Sequence, residues 1–309
     1  MPGSVETSDW QRPVSPNARM KILILGGRGR LAAALSREWS LTHEVVSVAR
    51  HDVDVADLGA LEAFLGAQTF DVLVNGTGMT NVDLCETERD QATAVNATAP
   101  GVMAAAAERK SARLIHFSTD YVFDGNKKVP YVEGDPISPL GWYGQTKADG
   151  EAAVLAVGGG HLVVRVSWVF GPDKPSFIDL IVERAQTNTD VSAVADKFSS
   201  PTYARDVAAW LEPFFEPGIA GGMIHACNSG ICSWQEYGQF ALKCAAEAGL
   251  PLATTDVKPV FLADMKSFAA PRPVFTPLST ARLTQLTGIT PRAWQEAVRD
   301  YIFTKHIPA

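Results

Sequence analysis

KILILGGRGRLAAALSREW, residues 21–39, is the stretch that decides the fold. After the leading lysine, ILIL is an uninterrupted apolar run ended by glycine, which suits a short strand buried on both faces of a parallel sheet. Gly26, Gly29 and Ala32 then form a G-x-x-G-x-x-A pattern between that strand and a helix. Small residues there permit a tight turn and close backbone approach, and the helix N-terminus offers unpaired N–H groups to a pyrophosphate. Glycine-rich strand-to-helix turns occur in α/β proteins of every kind. The pattern gains weight from its place in the first βα unit.

Outward from this unit the same rhythm repeats. Glu44–Val48, Asp71–Asn75, Leu114–Ser118 and Leu162–Trp168 read as further strands, separated by helical segments starting near Asp57, over Glu88–Arg109 and over Gly141–Val157. Alternation at this spacing predicts an α/β, Rossmann-type doubly wound parallel sheet with right-handed crossovers, over residues 20–171. Past Pro172 the rhythm changes, with a helix over 177–186, a helix starting near Tyr203, a strand from Met223 and a C-terminal helix over 291–304. Residues 172–309 therefore read mainly as a smaller C-terminal α/β substrate-binding lobe, with the chain returning to the first domain around 200–226. Residues 1–19 are polar and proline-bearing, without the apolar segment of a secretory signal, and read as a flexible extension.

Composition narrows the class. Hydrophobic residues make up 46% and charged residues 20%, ordinary for a globular protein, and the net charge is −7 without a basic run, which argues against a nucleic-acid partner. No apolar run approaches the roughly 18 residues of a membrane span. Cys85, Cys227, Cys232 and Cys244 form no C-x-x-C pair and have no nearby histidine set, so neither a metal site nor a disulfide framework is expected. Free thiols fit a cytoplasmic protein.

The second strand bears on cofactor choice. An acidic residue at its end would grip a ribose 2′-hydroxyl, whereas a cation accommodates a 2′-phosphate. Here Ala49, Arg50 and His51 stand at the tip, with Arg28 and Arg30 in the glycine loop, which leans toward NADP; the alternative is solvated surface charge. Gly76-Thr77-Gly78 follows the third strand at the sheet end where such folds bind ligands. Asn96, inside the next helix, reads as a residue bonding nearby backbone.

Ser118–Glu151 can do proton chemistry. Tyr143 and Lys147 lie four apart, hence on one helix face, and an ammonium near a phenol lowers its pKa from about 10. Tyr143 could then protonate a carbonyl oxygen that Thr119 holds by a hydrogen bond. The spacing alone proves little: Tyr301 and Lys305 repeat it in the last helix with no glycine loop or strand-end hydroxyl beside them.

The conjunction says more. STDYVFDG (118–125), YVEGDPISPLGWYGQTKADGE (131–151), VRVSWVFG (164–171), SSPTYARDVA (199–208) and APRPVFTPLS (270–279) resemble the dTDP-4-dehydrorhamnose reductase family of extended short-chain dehydrogenases/reductases. The resemblance implies Thr119, Tyr143 and Lys147 as a catalytic triad, Gly26, Gly29, Arg30 and Leu31 at the pyrophosphate, Asp54 and Val55 by the adenine, and Asp120, Tyr121 and Trp168 along the sugar. Asp120 could instead cap a turn, and the two aromatics could be core. Sugar dehydratases of this superfamily carry Thr-Asp-Glu where this chain has Thr119-Asp120-Tyr121, so simple ketone reduction is favoured. Two departures from the family pattern stand out: Ala32 in place of a usual glycine, and Gly76-Thr77-Gly78 in place of a more alanine-rich turn.

The resemblance implies NADPH-dependent (alternatively NADH-dependent) reduction of the 4-keto group of a nucleotide-linked 6-deoxysugar, dTDP-4-dehydro-L-rhamnose foremost, with a nucleotide sugar as partner, no membrane, and a homodimer compatible. Two alternatives stay open. The chain also resembles a non-catalytic dinucleotide-binding regulatory subunit of methionine adenosyltransferase, and other nucleotide-sugar reductases or epimerases share these features.

Overall fold

The computed structural model describes residues 19–158 and 160–306; the extension expected at the N-terminus lies, up to residue 18, outside them. In chain order the elements are β1 (Lys21–Leu25), α1 (Arg30–Trp39), β2 (Glu44–Val48), α2 (Leu58–Ala67), β3 (Val72–Asn75), α3 (Val82–Thr87), α4 (Arg89–Thr93), α5 (Ala99–Arg109), β4 (Arg113–Thr119), α6 (Trp142–Val157) and β5 (Leu162–Val166). There follow β6 (Val169–Phe170), α7 (Phe177–Thr187), β7 (Ser192–Val194), β8 (Phe198–Ser199), β9 (Thr202–Tyr203), α8 (Ala204–Leu211), β10 (Gly222–His225), β11 (Cys232–Ser233), α9 (Trp234–Glu247), β12 (Lys258–Val260), α10 (Ala281–Thr287) and α11 (Trp294–His306).

Six strands form one parallel sheet in the order β10-β5-β4-β3-β1-β2. Alternation along each strand divides its side chains between two faces. Ile22, Ile24, Val72, Val74, Ile115 and Val164 pack with Leu35 and Trp39 of α1 and Val207, Trp210 and Leu211 of α8. Leu23, Leu25, Leu73, Leu114 and Val163 pack instead with Leu61 and Leu65 of α2, Met103 of α5 and Val154 of α6. Each fully buried side chain of this size contributes about 1.5–3 kcal/mol, so the two faces clamp the sheet from both sides. The chain thus returns to the sheet after β5: α8 covers one face and β10 is its edge strand.

A separate core joins α7, α9 and α11 through Ile181, Tyr237, Trp294 and Tyr301. Three two-stranded sheets, β6-β9, β7-β12 and β8-β11, lie in the second half of the chain beside the main sheet. Leu162–Trp168 was expected to be one strand; it stops at Val166 because Ser167 turns to the 200–202 segment, its N–H reaching Thr202 Oγ1 at 3.3 Å and its hydroxyl donating to the Ser200 carbonyl. Trp168 then adopts φ +42°, and β6 pairs with β9.

The helix expected over Glu88–Arg109 is three segments, with a π turn at Ala94–Thr98 between α4 and α5. Pro100 has no N–H to give to the carbonyl of Asn96, four residues earlier, so the ordinary ladder fails at that point. Gly150 of α6 supplies the space for the widened turn: a Cβ there would lie 2.2 Å from the Asn96 carbonyl oxygen.

Strand order reverses between β1 and β3, and open α/β sheets bind ligands at such a crevice. The two strand ends touch through glycine. Gly26 has φ +83°, and a Cβ on it would lie 2.8 Å from the Gly76 backbone. A Cβ on Gly76 would in turn meet the Ala32 methyl at 2.9 Å. The two departures from the family pattern therefore complement each other: the methyl on α1 is accommodated by its absence after β3.

Candidate active site

At the C-terminal ends of β1, β2 and β3 opens a cleft of about 840 Å³. Gly26, Gly29, Arg50, Asp54, Val55, Gly76 and Thr77 line it, together with Arg28, His51, Met79 and Lys174. Gly29 caps α1 without a side chain, which leaves the first-turn amides of Arg30 and Leu31 without intrahelical partners. That donor set, with cations at Arg28, Arg50 and Lys174, suits a dinucleotide diphosphate and a further phosphate. The Arg30 guanidinium points elsewhere. It donates to the carbonyls of Val169 (2.7 Å), Lys174 (2.9 Å) and Pro175, tying α1 to the loop after β6. Leu31 packs its side chain on the sheet. Arg50 is 77% exposed and pairs with Asp54 at 3.0 Å. Asp54 is held below the usual carboxylate range by the Ala56 N–H and then by Arg50.

Beside the cleft, β4 and α6 bring Thr119, Tyr143 and Lys147 together. Met79 belongs to both places, since it lines the cleft and packs with Tyr143, Tyr121, Trp142 and Cys85. Thr119, at the end of β4, donates to Asp120 Oδ1 at 3.1 Å and accepts from the Tyr121 N–H at 3.2 Å. Tyr143 is buried, with its ring edge-on to Tyr121 at 5.6 Å. Burial pushes its phenol above the ordinary value, with the Thr119 hydroxyl opposing the shift. The expected depression by Lys147 is thus not found: desolvation dominates, and the ammonium is taken up by the Phe117 carbonyl at 2.6 Å. Burial lowers Lys147 itself to about 8, opposed by Glu151 one turn further along α6. Glu151 is in turn paired with Arg165 at 2.7 Å.

Other residues hold this arrangement, and the sequence reading did not single most of them out. Gly141 cannot cap α6 with a side chain, and Glu86 of α3 does so instead, accepting from the Trp142 N–H at 2.6 Å, one residue before Tyr143. Asn96 bonds no nearby backbone. Its amide oxygen accepts from the Met79 N–H at 2.9 Å, and its amide nitrogen donates to the Met79 carbonyl at 3.0 Å and to Thr146 Oγ1 of α6 at 3.3 Å. It therefore clamps the turn after β3 to the helix bearing Tyr143. The Asn-x-x-x-Pro spacing was the available signal.

On the far side, Asp120 is 2% exposed and accepts from Thr276 at 2.5 Å and Ser199 at 3.1 Å. Burial raises its carboxyl, with Lys197 the strongest opposing group. Tyr121 is partly buried beneath the Lys197 ammonium, 4.9 Å from the ring centroid. Trp168 is half-buried against Trp234 (5.7 Å) and Tyr237 (6.1 Å), and its indole N–H has no partner among the described residues. A non-glycine residue at positive φ with a free donor stores strain of the kind found at binding sites. In the repeat of the spacing, Tyr301 and Lys305 both donate to Asp179 Oδ1 at 2.6 Å. Among the described residues no helix is long and apolar enough to cross a membrane.

The sequence matches the RmlD substrate binding domain over residues 20–306. It is 33% identical to a dTDP-4-dehydrorhamnose reductase of Burkholderia thailandensis, over 90% of this chain and 97% of that one. It is 34% identical to a spore coat polysaccharide biosynthesis protein of Bacillus subtilis, over 91% of this chain and 96% of that protein. Among solved structures, dTDP-4-dehydrorhamnose reductase from Bacillus anthracis in complex with NADP superposes with a TM-score of 0.85 at 25% identity, covering 93% of this chain and all of that one.

Proposed function

The chain belongs to the family of the RmlD substrate binding domain, and from that premise we propose that it reduces the 4-keto group of a nucleotide-linked 6-deoxysugar with NADPH, converting dTDP-4-dehydro-L-rhamnose to dTDP-L-rhamnose. The protein is an NAD(P)H-dependent oxidoreductase. One observation carries the reading: a buried, protonated phenol, Tyr143, stands beside the Thr119 hydroxyl at the strand end adjoining a dinucleotide-sized cleft.

NADPH, when bound, supplies the hydride. The protein must then supply a proton to the carbonyl oxygen, and Tyr143 is its source. Burial keeps the phenol protonated at neutral pH. When it gives up that proton, Lys147, one turn along the same helix and brought to about 8, can pass a proton onward near neutral pH. Gly26, Gly29, Gly76, Thr77 and the amides of Arg30 and Leu31 cradle the diphosphate, with Arg28, Arg50 and Lys174 as cations for the 2′-phosphate and Asp54 and Val55 by the adenine. Tyr121 and Trp168 border the sugar, the indole N–H being free to donate. Asp120 works from behind the Thr119 hydroxyl.

Supplying purified protein with NADPH and dTDP-4-dehydro-L-rhamnose should consume one reduced nicotinamide per sugar, followed by absorbance. Absence of oxidation with this and other nucleotide-linked 4-keto-6-deoxysugars would sink the reading.

A further inference from the structure

Lys197 is a lysine with no exposed surface, in the turn between β7 and β8. A buried ammonium is costly unless its charge is used. Its ammonium donates to the Pro273 carbonyl at 2.5 Å, and it stands over the rings of Tyr121 (4.9 Å) and Trp234 (6.0 Å). Tyr121, the ring it covers, directly follows Asp120, the buried neighbour of Thr119, and the Lys197 charge is the largest influence favouring the ionised Asp120 carboxyl.

The hydrogen-bond arithmetic at Thr119 gives this charge a task. The hydroxyl has a single hydrogen. Its oxygen already accepts the Tyr121 N–H, and the hydrogen goes to Asp120 Oδ1. The other carboxylate oxygen, Oδ2, accepts from Ser199 and Thr276. Three hydroxyls donating to one carboxyl group require acceptors on both oxygens, which the ionised form provides in full. Were Asp120 protonated, its own O–H would need an acceptor: on Oδ2 it would displace Ser199, whose hydroxyl also reaches the Thr276 carbonyl at 3.3 Å, and on Oδ1, the oxygen that Thr119 bonds, it would release the Thr119 hydrogen to swing.

We propose that Lys197 is a positioning residue for the reduction: its buried charge keeps Asp120 a carboxylate, which commits the Thr119 hydrogen to Asp120, fixes the Thr119 hydroxyl beside Tyr143 and leaves the Tyr143 hydrogen for the substrate carbonyl. This rests on the reductase reading given above. The donor role toward the substrate carbonyl expected of Thr119 then passes to Tyr143. The other titratable groups in electrostatic reach of Asp120 are Tyr121, Tyr143 and Cys227, while Arg272 opposes the Lys197 charge and Asp83 offsets Arg272 through their 2.7 Å ion pair. None of these supplies a second cation to Asp120 in place of Lys197, and burial alone drives its carboxyl toward the neutral form.

Three variants separate charge from structure. Lys197→Met removes both the charge and the bond to Pro273, Lys197→Gln keeps a donor without the charge, and Lys197→Arg keeps the charge. The titration midpoint of Asp120, read by carboxyl carbon NMR and assigned by difference from Asp120→Asn, should rise by on the order of one pH unit in the Met and Gln variants and stay in place in the Arg variant. The acid limb of kcat should move up by the same interval in Met and Gln alone, while NADPH affinity holds. An unmoved midpoint in both uncharged variants overturns the proposal, as does a midpoint that moves without the kcat limb, or rescue by Gln. A wild-type protein that reduces no nucleotide-linked 4-keto sugar would overturn the reductase reading instead, and the midpoints would still decide whether Lys197 governs Asp120.

Discussion

Tyr143–Lys147 and Tyr301–Lys305 share one spacing and have opposite surroundings. In α11 the lysine lies 3.3 Å from the tyrosine oxygen, and both groups donate to Asp179, which also caps α7 through Ser176. Every polar atom of that pair is occupied, and the result is a bolt between two helices of the smaller lobe. In α6 the lysine bonds a carbonyl of β4, and the phenol is held by its packing and by Thr119. The α11 pair is structural, and the α6 pair, with fewer polar contacts, adjoins the cleft through Met79.

The lysines should break this comparison most visibly. Lys147→Met should lower turnover by on the order of a hundredfold with the fold intact, whereas Lys305→Met should leave turnover near normal and cost about 1–2 kcal/mol in urea unfolding, because Asp179 loses one of its donors. Equal losses of turnover in both would erase the distinction.

The glycine pair gives the next largest effect. Gly76→Ala drives a methyl to within 2.9 Å of the Ala32 methyl and should cost about 1–3 kcal/mol together with NADPH affinity. Adding Ala32→Gly should restore part of both, since the new methyl still lies 3.0 Å from the Leu25 carbonyl oxygen; a double variant no better than Gly76→Ala would show that the two positions are independent.

A pH effect of the same order follows from the buried lysine of α6. Its pKa is about 8 in the folded chain against an ordinary 10.5, so between those values the unfolded chain holds more protons and stability rises with pH. Buried thiols act oppositely above their ordinary value of 9, which makes the difference between wild type and Lys147→Met the informative quantity. That difference curve should climb from about pH 8, and a flat one would contradict a depressed Lys147.

Smallest is the cap on α6. Glu86→Gln weakens the bond to the Trp142 N–H and should cost about 0.5–1 kcal/mol, read as a few degrees in thermal melting with a modest fall in kcat.

The strands of the main sheet were legible because local periodicity and glycine placement determine them: ILIL ending at Gly26 and VLVN ending at Gly76 each state a buried strand and its stop. The meeting of Thr119, Tyr143 and Lys147 was legible because they lie within one strand–loop–helix unit. What escaped depends on contacts far apart in the chain. Thr276 and Ser199 reach Asp120 across 156 and 79 residues, and no local pattern announces such meetings, although both stand in segments that carried the family resemblance. The early end of β5 is decided by Ser200 and Thr202, and the π turn by Pro100 opposite Gly150. The direction of the Tyr143 shift was misjudged because spacing reveals that a lysine is near and does not reveal where its ammonium is held.

The most direct measurement sets the two tyrosines side by side: kcat for NADPH-dependent reduction of dTDP-4-dehydro-L-rhamnose by Tyr143→Phe and Tyr301→Phe, with NADPH binding measured in both. The account predicts that Tyr301→Phe retains near wild-type turnover while Tyr143→Phe loses on the order of a hundredfold to ten-thousandfold with NADPH affinity unchanged. Near-normal turnover by Tyr143→Phe would contradict it.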